Sequence, residues 1–337
     1  MVSTRPKVTV IIPNYNHARY LPQRLDSVLQ QTYQNVEILL LDDCSSDHSR
    51  EVITNYAARD ARIQTVFNEQ NSGSTFRQWN KGIALAKGDY VWLAESDDYA
   101  HPTLLERALQ KFAIDASIGL VYVASQAIDE QGSMLPLLDG FYDDLDRELW
   151  QHDFVLNGRE LVTKFMSYRN IIPNASAVLI RRDVLLRTGV ADGSLKLNGD
   201  WVFWAAILAQ TKVAFIGDRL NFFRFHLNNV RSKVQYNGIA VNEMSKVIDI
   251  MRQYGEPDPV FFTKSINALT EMWMEGIVRT SISWKLHQEI YANLKKISPG
   301  FDLHFAKSFI KFMLENKLSG ARRLLGDGIV YKYFKKK

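Results

Sequence analysis

Trp92-Leu93-Ala94-Glu95-Ser96-Asp97-Asp98-Tyr99 decides how the chain is read: an apolar run that begins near Tyr90 ends there in three carboxylates within four residues. A short apolar run of this kind is a strand buried on both faces. The carboxylates therefore fall where the strand leaves its sheet, the edge at which open α/β sheets bind ligands. Crowded carboxylates repel one another unless a cation or a set of donors holds them. Taken alone, Ser96-Asp97-Asp98 reads first as a turn, because Asp is common in turns and at helix caps, and Pro102 marks a helix start just beyond. The rest of the chain changes that balance.

Upstream, Lys7–Ile12 (KVTVII) is a β-rich run bounded by Pro13, followed by the loop Asn14-Tyr15-Asn16 and a helix with apolar positions Leu21, Leu25, Val28 and Leu29. Val36–Leu41 is a second buried strand, ending in Asp42-Asp43-Cys44-Ser45-Ser46-Asp47. Ser45 or Ser46 is expected to cap a helix running to about Ala58, with Asp47 in its first turn. Ile63–Phe67 is a third strand, Thr75–Lys87 a helix and Asp89–Ala94 a fourth strand. This alternation predicts a mostly parallel, right-handed βαβ sheet with helices on both faces.

Downstream, the pattern predicts a helix from Pro102 to about Ala113 and a strand at Gly119–Ala124. Between Gly132 and Asp153 the chain is acidic and turn-rich (Asp139, Asp143, Asp144, Asp146, Glu148), which reads as an exposed functional loop. Asn174–Arg181 alternates as a half-buried strand, Gly199-Asp200-Trp201 opens an apolar helix to about Ala209, and two short strands lie near Val213–Ile216 and Leu220–Phe225. From Gly238 only helical patterns remain, in three blocks: Gly238–Gln253, Val260–Ser283 and His304–Leu318. In the last block Phe305, Phe309, Phe312 and Met313 share one face, a spacing typical of core.

A chain of 337 residues has room for one large α/β domain with an appendage. Its one cysteine, Cys44, excludes a disulfide framework. No stretch approaches the ~20 apolar residues of a membrane span, and no signal-peptide core is present. A cytoplasmic protein is the expectation. The net charge of +4 is uneven: from Phe301 onward nine Lys/Arg face three Asp/Glu, so the remainder is slightly acidic. The tail ends Tyr331-Lys332-Tyr333-Phe334-Lys335-Lys336-Lys337, a mixture suited to peripheral contact with the anionic inner face of the cell membrane. No nucleic-acid recognition signature accompanies the charge, and no nucleic-acid partner is expected.

Two strand ends thus carry carboxylates, Asp42/Asp43 and Glu95/Asp97/Asp98, and Pro13–Asn16 follows a third. Parallel strands all end on one side, so the three meet at one edge. Neither G-x-x-x-x-G-K-[ST] nor G-x-G-x-x-G occurs. A nucleotide bound here needs a divalent cation on its phosphates, and oxygen ligands point to Mg²⁺ or Mn²⁺.

The linked motifs VTVIIPNYNHARYL, SVLQQTYQNVEILLLDDCSSD, N-x-G and KGIALAKGDYVWLAESDD resemble the nucleotide-sugar half of the family-2 inverting glycosyltransferases with the GT-A fold. The resemblance covers about Lys7–Tyr99 and continues more weakly to about Ser232 through NGDWVFW and FRFH. It implies a GT-A domain over 1–232, with a nucleotide-sugar half (1–100) and an acceptor half (101–232), and a helical region with a basic tail over 233–337. It also implies a metal-dependent hexosyltransferase of polysaccharide biosynthesis, moving a sugar from a UDP donor to a hydroxyl of a glycan or lipid-linked acceptor. Carried over by position, Pro13 and Tyr15 line the base pocket and Asp43 accepts from the ring N–H of a uracil-type base. Asp97 meets the ribose or the metal shell, Asp98 coordinates the metal, and His226 approaches metal or diphosphate. Asp200 matches the catalytic base, while Asn174 and Trp201 fall on the acceptor side with Asn170 and Ser176.

The chain departs from the family pattern in three places. Glu95 stands where an Asp usually begins the acidic motif, Cys44 replaces the Gly of D-D-G-S, and an extra residue in Asn71–Gly82 leaves Arg77 and Lys81 as alternatives at the diphosphate. Asp200 also reads as a helix cap, and His226 as a structural histidine. Two other function classes compete: a glycoside hydrolase, which needs neither metal nor nucleotide pocket, and a non-catalytic sugar-nucleotide-binding protein, which needs no Asp200. A nucleotidyltransferase would open with a Gly-rich basic loop, and Pro13–His17 contains no glycine.

Overall fold

A computed structural model describes residues 6–195, 197–226, 238–279 and 282–315. The chain divides into two compact units, one of Met1–Val162 with Asn170–His226, the other of Thr163–Arg169 with Leu227–Lys337.

The first unit is built on a mixed sheet. Its opening strands are β1 (Val8–Asn14), β2 (Val36–Asp42), β3 (Ile63–Phe67) and β4 (Tyr90–Leu93), and all three pairings among them, β1 with β2, β2 with β3 and β1 with β4, are parallel. The helices between them are α1 (Leu21–Leu29), α2 (Ser49–Ala57) and α3 (Thr75–Leu85). Every residue of β1 and β2 is buried, as continuous apolar runs require. In α1 the i, i+4, i+7 set Leu21, Leu25 and Val28 is fully buried, each contributing roughly 1.5–3 kcal/mol. α3 lies close on β1 because Gly82 has no side chain: a Cβ there would sit 2.4 Å from Ile11 Cγ2. Charge is also used between the strands. Glu37 of β2 accepts from Thr9 Oγ1 at 2.5 Å and from the Lys87 amide at 2.8 Å, and pairs with Lys7 Nζ at 2.8 Å.

The second half of the sheet brings in antiparallel pairings. After β5 (Tyr99–Ala100) and α4 (Leu104–Ile114) come β6 (Ile118–Ile128), β7 (Met134–Leu135), β8 (Phe154–Asn157), β9 (Val178–Arg181) and β10 (Lys212–Arg224). The order is β3-β2-β1-β4-β9-β6-β10-β5, with β7 beside β6 and β8 beside β10. β9 is antiparallel to both β4 and β6, while β6 and β10 are parallel. Three expectations are corrected here. The stretch predicted as a half-buried strand over Asn174–Arg181 is a buried turn at Ala175–Ala177 followed by the short buried strand Val178–Arg181, because it lies inside the sheet. The two short strands near Val213–Ile216 and Leu220–Phe225 are one strand, whose register against β6 shifts between Ile216 and Arg219 to absorb Gly217-Asp218 as a bulge. Ser45 and Ser46 do not cap α2, which starts at Ser49; the Ser45 hydroxyl donates to Asp42 Oδ1 instead.

The acidic segment after β7 is pinned at several points. Tyr142 stacks on Trp150 at 4.5 Å, its hydroxyl donates to the Ile171 carbonyl at 3.0 Å, and Asp139 pairs with Arg219 at 2.6 Å. Within it lies α5 (Asp143–Asp146), and beyond it α6 (Gly158–Phe165), α7 (Arg182–Thr188) and α8 (Gly199–Leu208).

In the second unit four helices are described where three blocks were expected: α9 (Ile239–Met251), α10 (Pro259–Arg279), α11 (Trp284–Ile297) and α12 (Phe301–Glu315). Leu269, Trp273, Ile290, Leu294 and Phe301 form their core, and Phe305 packs on Trp273 at 5.1 Å. Among the described residues no helix is long and apolar enough to cross a membrane. The basic tail Tyr331–Lys337, with its expected membrane contact, and the boundary at 232 lie outside the described residues.

Candidate functional site

The loops after β1 and β2 are stitched to each other. Asn14 Nδ2 donates to Asp42 Oδ1 at 2.9 Å and the Ser46 amide to Asn16 Oδ1 at 2.8 Å, so Asp42 and the two Asn side chains shape the edge. Pro13 is buried at the end of β1, and Tyr15 stands at the rim, 47 % exposed. Cys44 has φ 61°, the left-handed conformation that a glycine adopts freely, so the turn keeps its shape despite the substitution. Asp43 is buried under four donors. Its Oδ1 accepts from Asn68 Nδ2 at 2.6 Å, the Ser72 amide at 2.9 Å and Gln78 Nε2 at 2.9 Å, and its Oδ2 from Ser72 Oγ at 2.8 Å. Oδ2, with a single protein donor, keeps a lone pair for one more. Lys81 Nζ is drawn to Asn68 Oδ1 at 2.5 Å, whereas exposed Arg77 donates only NH1 to the Ser72 carbonyl, at 3.0 Å.

The acidic run after β4 separates into three environments. Glu95 accepts from the Trp79 indole at 2.6 Å; burial, with the Asp97 charge beside it, pushes its carboxyl up to about 8. Asp98 is 1 % exposed, its Oδ1 taken by the Arg224 amide at 2.8 Å; Oδ2 has no hydrogen-bond partner and lies 4.0 Å from the Arg24 guanidinium. Burial and the neighbouring Asp97 push the Asp98 carboxyl up to about 7. Asp97 alone faces other ligand-bearing side chains: its Oδ2 is 3.1 Å from His226 Nε2. His226 is held above the ordinary imidazole value by that bond, and Asp97 stays low despite burial because His226 donates to it.

The sequence reading passed over two arginines and one histidine that build this site. Arg24, on the buried face of α1, is fully buried and donates Nε to the Glu95 carbonyl at 2.8 Å and NH2 to Ser176 Oγ at 3.1 Å. Arg224, at the end of β10, donates Nε to the Asp97 carbonyl at 2.7 Å, NH1 to the Asp129 carbonyl at 2.8 Å and NH2 to Gln23 Oε1 at 2.6 Å, while lying 4.8 Å over the Tyr20 ring. His17, in the loop after β1, bonds Ser96 Oγ through Nδ1 at 2.8 Å, and its ring is 5.9 Å from that of His226. His17, Asp97 and His226 each offer a ligand atom, and these atoms all lie within 4.8 Å of one another. Two imidazoles and a carboxylate are a donor set that fits a divalent transition-metal ion. Asp98, expected at the metal, is outside that set, committed to Arg224 beneath the loop.

Asp200 occupies the first turn of α8, where the helix dipole favours a carboxylate, and accepts from Asn170 Nδ2 at 3.1 Å. It is not the cap, which is Asn198. α8 packs on α3 through Trp204 against Trp79 at 5.6 Å. Asn174 is spent inside the sheet: it donates to Ser125 Oγ at 2.9 Å and accepts from the Ala177 amide at 3.1 Å and Asn221 Nδ2 at 2.9 Å. Ser176 is fully buried and Trp201 is 4 % exposed. An acceptor surface made of Asn174, Ser176 and Trp201 does not follow from these positions.

Comparison with known proteins agrees with this architecture. Residues 9–171 match the family model described as glycosyl transferase family 2. The glycosyltransferase GlyG of Streptococcus pneumoniae is 28 % identical over 220 residues, covering 64 % of this chain and 70 % of its own, and TuaG of Bacillus subtilis is 27 % identical over 234 residues, covering 69 % and 84 %. Among solved structures, S. aureus TarS 1–349 in complex with UDP-GlcNAc superposes with a TM-score of 0.62 at 15 % identity, over 86 % of this chain and 80 % of that one. The mannosyltransferase PcManGT of Pyrobaculum calidifontis, in complex with GDP-Man and Mn²⁺, gives 0.58 at 16 % identity, over 96 % and 88 %. With a parallel half, antiparallel strands added beyond β4 and the family signature over residues 9–171, the chain carries a glycosyl transferase family 2 domain and has the GT-A fold.

Proposed function

We propose that the chain transfers a sugar from a UDP-linked donor to a hydroxyl of a glycan or lipid-linked acceptor, with inversion at the anomeric carbon. The observation that carries this reading is that Tyr15, Asp43, Asp97 and His226 all follow strand ends of a single sheet edge, with the base-side donors around Asp43 and the Asp97–His226 pair 3.1 Å apart. The nucleotide sugars bound by TarS and PcManGT support a donor of this class, and the name of TuaG, provisionally assigned to teichuronic acid biosynthesis, supports a polysaccharide product.

In this reading the Tyr15 ring and Pro13 cover the base, and Asp43 Oδ2 accepts from its ring N–H. Asp97 and His226 would hold a divalent cation, Mn²⁺ or Mg²⁺, which when bound neutralises charge on the departing diphosphate. Arg77, rather than Lys81, reaches for the diphosphate, since Lys81 is drawn to Asn68. Asp200 takes the proton of the acceptor hydroxyl, and Asn170 orients it. The hydroxyl oxygen bonds to the anomeric carbon as the diphosphate leaves from the opposite face, so one displacement converts an α-linked donor into a β-linked product. General-base action of this kind contributes typically 10²–10⁴-fold.

Calorimetric titration of UDP with and without Mn²⁺ tests the donor side. Tighter binding with Mn²⁺ is expected, and equal affinities overturn the cation's role.

A further inference from the structure

We propose that His17 is a third protein ligand of the cation, which makes the site a two-histidine, one-carboxylate centre that takes Mn²⁺ in preference to Mg²⁺ and holds it without nucleotide. The inference rests on the reading of Asp97 and His226 as cation ligands and goes beyond it in naming a further ligand and the class of ion.

Three observations carry it. The ligand atoms of His17, Asp97 and His226 all lie within 4.8 Å of one another. Cis ligands around an octahedral ion at ~2.1 Å are about 3 Å apart, so small side-chain rotations complete the set. His17 is also oriented: its Nδ1 lies 2.8 Å from Ser96 Oγ, and in the tautomer that donates this bond Nε2 keeps its lone pair for an ion, the arrangement in which a neighbouring acceptor fixes a metal-binding imidazole. Finally, the backbone on both sides is fixed. Ser96, in the acidic run itself, carries the hydroxyl that holds His17, and the Arg224 guanidinium binds the Asp97 carbonyl at 2.7 Å two residues before His226.

The donor types then select the ion. Mg²⁺ prefers oxygen ligands and water and gives up little of its hydration for imidazole. Imidazole suits the first-row transition metals, whose affinities rise from Mn²⁺ toward Co²⁺. The expectation from oxygen-only ligands, that Mg²⁺ and Mn²⁺ serve alike, is replaced by a ranking. A centre with three protein ligands also needs no diphosphate oxygen to assemble, whereas a pair of ligands depends on the nucleotide for most of its coordination.

The test is metal binding by the full chain after chelator treatment. Free Mn²⁺ is followed by electron paramagnetic resonance, with and without UDP, for the wild type and His17→Gln. One Mn²⁺ is expected to bind wild type without UDP, to resist a tenfold excess of Mg²⁺, and to bind at least tenfold more weakly to His17→Gln. Pulsed spectra of Mn²⁺ on the wild type alone are expected to show two coordinated imidazole nitrogens, a readout independent of whether the variant folds. One imidazole nitrogen, or displacement by equimolar Mg²⁺, overturns the proposal. If wild type and variant bind Mn²⁺ equally and only with UDP, His17 is no ligand while the Asp97–His226 reading stands. If neither binds under any condition, both readings fall.

Discussion

The indole Nε1–H of Trp79 donates to Glu95 Oε1 at 2.6 Å, which ties the first carboxylate of Glu95-Ser96-Asp97-Asp98 to α3. Glu95, read from the sequence as a departure from the family pattern, thus has a structural use. Trp79→Phe keeps the ring packing against Phe76 and Trp204 but leaves the part-buried Glu95 carboxyl without its indole donor, a loss of about 1 kcal/mol. Glu95→Gln keeps a carbonyl for the indole and is expected to cost much less. Thermal unfolding checks both: an unchanged midpoint for Trp79→Phe removes this bond from the stability account.

Asp200→Asn is expected to leave UDP affinity within about twofold while transfer falls by roughly 10²–10⁴. The amide keeps the shape of the side chain and a partner for Asn170 but has no basic lone pair to receive the acceptor's proton. Binding by calorimetry and transfer with a radiolabelled donor separate the two effects. Full turnover in the variant would assign the base elsewhere.

Cys44→Gly is expected to stabilise the fold. An L-residue in the left-handed region costs about 1–2 kcal/mol, and φ 61° at Cys44 sits in that region. Glycine returns part of the gain through its freer unfolded chain, so a net rise of about 0.5–1 kcal/mol is expected in denaturant titration. A fall would mean that the Sγ contact with the Glu69 carbonyl, at 3.4 Å, matters more than the backbone.

Glu37 gives a pH prediction remote from the ligand edge. Burial works against its charge, but the bonds from Lys7, Thr9 and Lys87 outweigh it and hold the carboxyl below its ordinary value. A carboxylate with a depressed native value stabilises the fold above its unfolded pKa and loses that contribution as pH falls through the native one. Glu37→Gln is therefore expected to be about 2 kcal/mol less stable than wild type near neutrality, with the gap closing below about pH 4.5. A gap independent of pH would attribute the loss to packing.

The parallel half of the sheet and its ligand edge were legible because their signals are local. β1, β2 and β4 are apolar runs, and each ends in the residues that shape the edge. The other half depends on pairings between distant segments, which no short window contains. Val178–Arg181 lies antiparallel between β4 and β6, and nothing in its own pattern names those neighbours. Arg24 and Arg224 were missed for a related reason. A charge on an amphipathic helix or at a strand end reads as solvated, yet both are buried where backbone carbonyls of the acidic loop accept their hydrogen bonds. His17 was within reach, one residue beyond the Pro13–Asn16 loop, but its meaning comes from Ser96 and His226, 79 and 209 positions away.

β10 runs unbroken for 13 residues and finishes at Arg224, two positions before His226. It therefore works as a measuring rod, setting how far the chain travels before it delivers a guanidinium and an imidazole to the cleft. Strand side chains alternate faces, so deleting one residue between Leu220 and Phe223 turns the arm that should clamp the Asp97 loop to the opposite side of the sheet. Length changes at Gly217-Asp218 are spared that inversion, because the register there is already out of step. The contacts of Arg224 with the Asp97 loop and of His226 with Asp97 thus fix the length of the last third of this one strand.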